Sequence, residues 1–298
     1  MARMKRGHDQ AAGLRELLST PVCRSVSLAG GRGEAGSTTL VINLAAALAQ
    51  RSRDVIVLDE FSGTGNVCNR LQVAPHHDFE SVLRREASLG DALVDSGYGF
   101  SVLPIAARAQ TLASLNELEQ RRLAHEFEHL AQGADFLLLD TRPAANSDVP
   151  GLSLAADDVV VVLTNRAESL TDAYATIKLL HTEYGRHEFR ILVNRAETLD
   201  EAAALFGRIR QVARQYLGEG IHLKLIGFVP EDEKLNRSAR LGQSVLEAFP
   251  DSESAIAFRQ LADAMLRWTP PRHPADTPAV FVHRLIESSR LLSEQLRH

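Results

Sequence analysis

The sequence predicts an α/β fold, a mostly parallel, doubly wound sheet with helices on both faces. Three observations lead there. Apolar, strand-like runs at residues 22–28, 54–58, 100–103, 136–139, 159–163, 189–193 and 223–229 alternate with helical patterns, notably at 38–50, 114–132, 170–184 and 201–217. These runs hold Val, Ile and Leu without polar alternation, the mark of strands covered on both faces and joined by right-handed crossovers. A glycine-rich turn, Gly30-Gly-Arg-Gly-Glu-Ala-Gly36, connects the first run to the helical pattern at 38–50.

Residues 1–20 precede the first strand as an N-terminal tail. Asp9 can cap a short helix whose Ala12, Leu14, Leu17 and Leu18 form an incomplete apolar stripe. Such a peptide either leans on its own domain or docks on another protein. Residues 21–268 form the α/β domain. The stretch 269–278 carries Pro270, Pro271, Pro274 and Pro278 and reads as a linker that cannot continue a helix. Residues 279–298 return to helical spacing, with Phe281, Leu285, Leu292 and Leu296 in register and Val282 and Ile286 beside them, a terminal amphipathic helix. It has two readings, packing on protein or lying on a membrane surface.

Composition bounds the function. The 298 residues suffice for a full core, and 45% apolar with 24% charged residues is ordinary for a water-soluble chain. A formal charge of −5 argues against broad electrostatic binding of nucleic acid. Two cysteines, Cys23 and Cys68, fit a reducing compartment. Arg3, Lys5 and Arg6 are followed by no apolar segment, so no secretory signal is expected and the cytoplasm is the expected location.

The chemistry is concentrated where strands end. A glycine-rich strand-to-helix turn places backbone N–H groups and the positive helix end around a phosphate. In the frame Gly31 to Gly36, Gly31, Gly33 and Gly36 let the backbone wrap the ligand, and Thr38 stands where a hydroxyl would ligate Mg²⁺. Asp59 and Asp140 end strands and are candidates to hold the same metal through water. Ser37, however, occupies the place of the lysine that reaches the phosphates, and Glu34 adds an anion to the loop. One unit charge at ~4 Å is worth about 4 kcal/mol at an effective dielectric near 20. Exchanging attraction for repulsion therefore predicts weakened triphosphate affinity, which Arg32 offsets in part. Phe61, two residues beyond Asp59, can neither position nor activate a water. The run His76-His77-Asp78 reads as a solvated loop, since adjacent residues supply no facial ligand set.

Over nearly its whole length the chain resembles the MinD/ParA group of deviant Walker-A ATPases, and within it the flagellar-number regulators called FlhG or FleN. Arg32 matches the extra lysine of that loop, Gly33 and Gly36 its glycines, Thr38 the Mg²⁺ ligand, and Asn43-Leu-Ala follows as in the family, with Thr39 a further nucleotide-binding candidate. Asp59 matches the first aspartate of the Asp-x-Asp motif, while Phe61 replaces the catalytic one. Asp140-Thr141 matches the start of a switch. Asn194 and Arg195, with Pro230 and Asp232, look like the two loops that surround adenine. The flagellar branch is carried by Ser169-Leu-Thr-Asp-Ala-Tyr-Ala-Thr-Ile-Lys-Leu-Leu180, Val245-Leu-Glu-Ala-Phe-Pro250 and Phe281-Val-x-Arg-Leu285. It is carried most of all by Asp9-Gln-Ala-Ala-Gly-Leu-Arg15, which looks like the element by which such proteins stimulate an FlhF-type GTPase of the signal-recognition class.

The resemblance implies ATP and Mg²⁺ as cofactors and partner contacts through Asp9, Gln10, Ala11, Leu14 and Arg15. Gln10 is the residue implied to reach the partner's nucleotide site. It also implies a flagellar transcription regulator and switch-complex proteins as further partners, a homodimer, and peripheral membrane contact through the terminal helix. Two readings stay open: a regulator whose own ATP binding and hydrolysis are weakened or lost, and a functional switch between a monomer and a membrane-bound ATP dimer. A segregation or secretion relative of the ParA type shares the core but does not predict residues 9–15.

Overall fold

A computed structural model describes residues 23–30, 35–61, 65–105, 109–141, 151–269 and 278–295. Among them eight strands form one sheet, ordered β3-β4-β2-β5-β1-β6-β7-β8. The strands are β1 (Arg24–Ala29), β2 (Val55–Asp59), β3 (Val94–Asp95), β4 (Ser101–Pro104), β5 (Phe136–Thr141), β6 (Asp158–Leu163), β7 (Glu188–Ala196) and β8 (His222–Pro230). Every pairing is parallel except β3 with β4. The seven expected strands are all present. The two-residue β3 lies outside them because so short a run carries no periodicity.

The first long helix, α1 (Ser37–Ala49), has no charged residue and is buried on nearly every side. It packs with β1, β2 and β5 in one apolar cluster, closed by α10 (Glu253–Met265). Short helices α2 (Val67–Leu71) and α3 (Phe79–Leu83) follow β2, and α4 (Ala109–Ala113) follows β4. On the other face, α5 (Glu117–Gln132) starts at a capping box, in which Asn116 accepts from Glu119 N–H and Glu119 accepts from Asn116 N–H. This cap moves the helix start three residues beyond the expected 114. The helix α6 (Ala167–Thr182) and α7 (Leu199–Leu217) cover β6 and β7 in a third cluster. After β8 come α8 (Glu233–Arg240) and α9 (Val245–Ala248), which the apolar periodicity did not reveal.

The last helix, α11 (Pro278–Gln295), begins on Pro278 itself. A proline in the first turn gives up only an N–H that lacks a helical partner anyway, so the residue expected to close the linker instead opens the helix. Phe281, Val282, Leu285 and Ile286 are buried against α5, α4 and the turn at Gly151–Leu154. Phe281 meets Phe127 with ring centroids 5.3 Å apart. The apolar face expected to meet protein or lipid is thus covered by the chain's own domain; the side chain of Leu292 lies outside the described residues.

Candidate functional site

The carboxyl ends of β1, β5 and β2 adjoin where the strand order reverses, the place at which open parallel sheets hold ligands. Leu28 pairs in register with Asp140, and Asp140 with Asp59, so the two carboxylates stand on neighbouring strands. Both residues are fully buried.

The glycine-rich turn enters this junction. Gly31, Arg32, Gly33 and Glu34 lie outside the described residues, as do Asp9, Gln10, Ala11, Leu14 and Arg15. Gly36 precedes α1 with φ of 80°, and a Cβ there would sit 2.8 Å from Asn194 Nδ2. Only glycine fits both the left-handed backbone and that approach. Asn194, at the end of β7, donates from Nδ2 to the Ala35 carbonyl at 2.8 Å and so ties the returning turn to the sheet. It is buried, and the following Arg195 has φ of 58° beside a register shift between β7 and β8.

Ser37 opens α1, and no Lys or Arg stands anywhere on that helix. Thr38 is buried. Thr39 is held from two sides: its carbonyl accepts from Asn43 Nδ2 at 2.8 Å, and its hydroxyl accepts from Arg70 Nη1 at 3.4 Å. Asn43 also fastens the α9 turn, accepting from the Ser244 hydroxyl at 3.0 Å and Val245 N–H at 2.8 Å.

The two aspartates differ in what they bind. Asp59 accepts Phe61 N–H on one oxygen at 2.9 Å and Val67 N–H on the other at 2.6 Å, drawing the loop after β2 over the strand end. Asp140 has no hydrogen-bond partner on either oxygen among the described residues. Burial pushes its carboxyl up to about 7, with the Asp59 charge adding; the Thr38 hydroxyl and the Arg70 charge act in the opposite sense. A buried carboxyl without a partner holds a proton or faces a cation. Asp140 beside Thr38 therefore suits a hard divalent ion with oxygen ligands such as Mg²⁺. The triphosphate half of the ligand fits less well, because the described side chains of the turn and α1 offer it no cation.

Arg70 is the residue that sequence reasoning missed. It lies on the five-residue α2, too short for any periodic signal, where Nε donates to the Gly65 carbonyl and the guanidinium is felt as far as Asp140. Pro230 is buried at the end of β8. Asp232 is committed to structure: one oxygen accepts Lys234 N–H at 2.8 Å, and the other accepts the Ser254 hydroxyl at 2.6 Å and Ser254 N–H. Burial opposes these bonds, yet they hold its carboxyl below the usual range.

Other sequence candidates separate. Asp78 caps α3 through Ser81 N–H at 2.7 Å, and no cluster of three metal-ligating side chains occurs among the described residues. Burial pushes the Cys68 thiol up to about 11, with Asp59 adding, which leaves it a poor nucleophile. No helix among the described residues is long and apolar enough to cross a membrane.

Comparison with known proteins agrees with this architecture. The antiactivator FleN of Pseudomonas aeruginosa is 31% identical over 262 residues, 88% of this chain and 93% of that protein. The flagellum site-determining protein YlxH of Helicobacter pylori is 22% identical over 81% of each chain. Among solved structures, the MinD cell division protein of Aquifex aeolicus superposes with a TM-score of 0.64 at 20% identity, covering 84% of this chain and 99% of that one. The septum site-determining protein MinD of Pyrococcus horikoshii, complexed with Mg-ADP, gives 0.60 at 21% identity, covering 82% and 96%. The CobQ/CobB/MinD/ParA nucleotide binding domain matches residues 26–245, and the chain belongs to that family.

Proposed function

We propose that this protein is a FleN- or FlhG-like regulator of flagellar number or placement that acts through Asp9–Arg15 on an FlhF-type GTPase, with its own ATP binding and hydrolysis weakened or lost. The observation that carries the second half is the use made of Asp59. Its oxygens accept the N–H groups of Phe61 and Val67, and the position where the family has a catalytic carboxylate is a phenylalanine. With Ser37 at the head of an uncharged α1, a triphosphate finds neither its lysine nor an activated water. The first half is supported by the similarity to FleN across 88% of the chain together with the sequence of residues 9–15.

Mixing the protein with an FlhF-type GTPase tests it. GTP hydrolysis accelerates with the wild type and returns to the partner's basal rate with Gln10→Ala. No acceleration by the wild type contradicts the proposal.

One observation favours a second reading, an ATP-driven dimer switch: the unpartnered Asp140 beside Thr38, which Mg²⁺ would satisfy. Calorimetry with ATP and Mg²⁺, and sizing with and without nucleotide, separates the two. Saturable binding coupled to dimerisation favours the switch.

A further inference from the structure

At the opposite end of the sheet, where the parallel strands begin, lies a cavity of about 690 Å³ between β2, β4, α5 and the segment after α3. Its walls are of two kinds. Leu93, Phe100 and Leu130 give an apolar floor, while Asp54, Asp95 and Glu126 stand around it, and no Lys or Arg lines it. Glu126 is paired with Arg122 and accepts Leu89 N–H. Asp54 and Asp95 enter no ion pair among the described residues, so the cavity keeps a negative mouth over an apolar base.

The chain itself supplies a segment with the complementary pattern and a tether of the right length. Residues 1–22 carry Arg3, Lys5 and Arg6, then Leu14, Leu17 and Leu18. This segment joins β1 at the same end of the sheet, since Arg24, Phe136 and Val55 stand in register at the starts of β1, β5 and β2. Two strand spacings, about 10 Å, separate the start of β1 from the start of β2. Cys23 packs against the same apolar cluster as Leu89 and Leu130, so the chain leaves β1 on the face that carries α5. Four extended residues, 19–22, span about 13 Å. The stretch 9–18 adds about 15 Å if helical.

We infer that the cavity between β2, β4 and α5 is a docking site for the chain's own N-terminal segment, its basic residues at Asp54 and Asp95 and its leucines on Leu93 and Leu130. The tether makes this docking intramolecular, so weak contacts suffice at a high effective concentration. Docking stows Gln10 at the far end of the sheet from the glycine-rich turn. That consequence for a GTPase partner rests on the function proposed above; the docking does not.

Zero-length carbodiimide crosslinking of the full chain, read by mass spectrometry on the monomer fraction, tests the contact. Amide links form between Lys5 and Asp54 or Asp95. In parallel, hydrogen exchange of backbone amides from Leu93 to Phe100 quickens several-fold in Lys5→Glu with Arg6→Glu, two positions outside the described residues. Adding Asp54→Lys to that pair restores slow exchange. Links found only in a dimer fraction, as a second copy in the cavity would give, overturn the inference. So does exchange that is the same in wild type and variant, as expected if the cavity serves a small molecule or another protein. A separate GTPase assay then reads the consequence: the charge-reversed pair stimulates an FlhF-type partner more than wild type does. A failure there with the crosslinks present counts against the proposed function and not against the docking.

Discussion

Asp59 and Asp140 are register partners on adjacent strands, yet one carboxylate accepts two backbone N–H groups and the other accepts none. Asp59 is satisfied by its own loop. Asp140 is left with a polar group that the described protein does not pair.

This contrast has a pH signature in divalent-free buffer. The folded Asp140 carboxyl lies near 7, above its ordinary 3.8. The folded state therefore binds the proton more tightly than the unfolded state. Its contribution to stability is complete below about pH 4 and is lost as pH rises through about 7. Asp140→Asn, neutral and of the same shape, removes that loss. The variant is expected to gain up to about 4 kcal/mol over wild type at pH 8, and little at pH 4, in urea unfolding. Parallel stability profiles for the two proteins contradict this.

Gly36 and Asn194 form a second pair that a double-mutant cycle can read. Gly36→Ala places a Cβ against Asn194 Nδ2 in a left-handed backbone and costs about 1–3 kcal/mol. Asn194→Ala clears the obstacle while losing the bond to Ala35. The combined variant is thus less destabilised than the sum of the singles, whereas strict additivity speaks against the contact.

The docking of α11 predicts that Phe281→Ala, which empties a site beside Phe127, destabilises the domain by about 3 kcal/mol. A loss below about 0.5 kcal/mol in the same unfolding experiment means that the helix is not part of the core. Membrane contact through Phe281, Val282, Leu285 and Ile286 remains a proposal that requires lifting them out of this packing.

Repairing the turn tests the charge argument. Ser37→Lys with Glu34→Gly is expected to raise ATP affinity by calorimetry on the order of 100-fold, after discounting the Coulomb figure for solvent. An unchanged affinity shows that another feature limits binding.

The seven strands and the strand-to-helix turn were legible because unalternated apolar runs and a glycine cluster are local signals, although the β8 run, read as covered on both faces, is only half-buried until Val229 and Pro230. Asp140 and Asp59 were legible as strand-end carboxylates, but their division of labour was not. It depends on where the loop after β2 sends the N–H groups of Phe61 and Val67, and no spacing encodes that path. The bonding of Asp232 was hidden for a related reason: one oxygen accepts from Ser254, twenty-two positions away, and the other from Lys234 N–H. Arg70 was hidden on a one-turn helix, and the short α8 and α9 sit behind polar caps at Asp232 and Ser244 in a stretch without a long apolar stripe.

In the proposed function, regulation passes through the N-terminal element and does not depend on the chain's own nucleotide. The most direct measurement is GTP hydrolysis by an FlhF-type partner, with this protein added in the presence and absence of saturating ATP and Mg²⁺. The same acceleration is expected in both conditions, abolished by Gln10→Ala. Acceleration that appears only with ATP contradicts it.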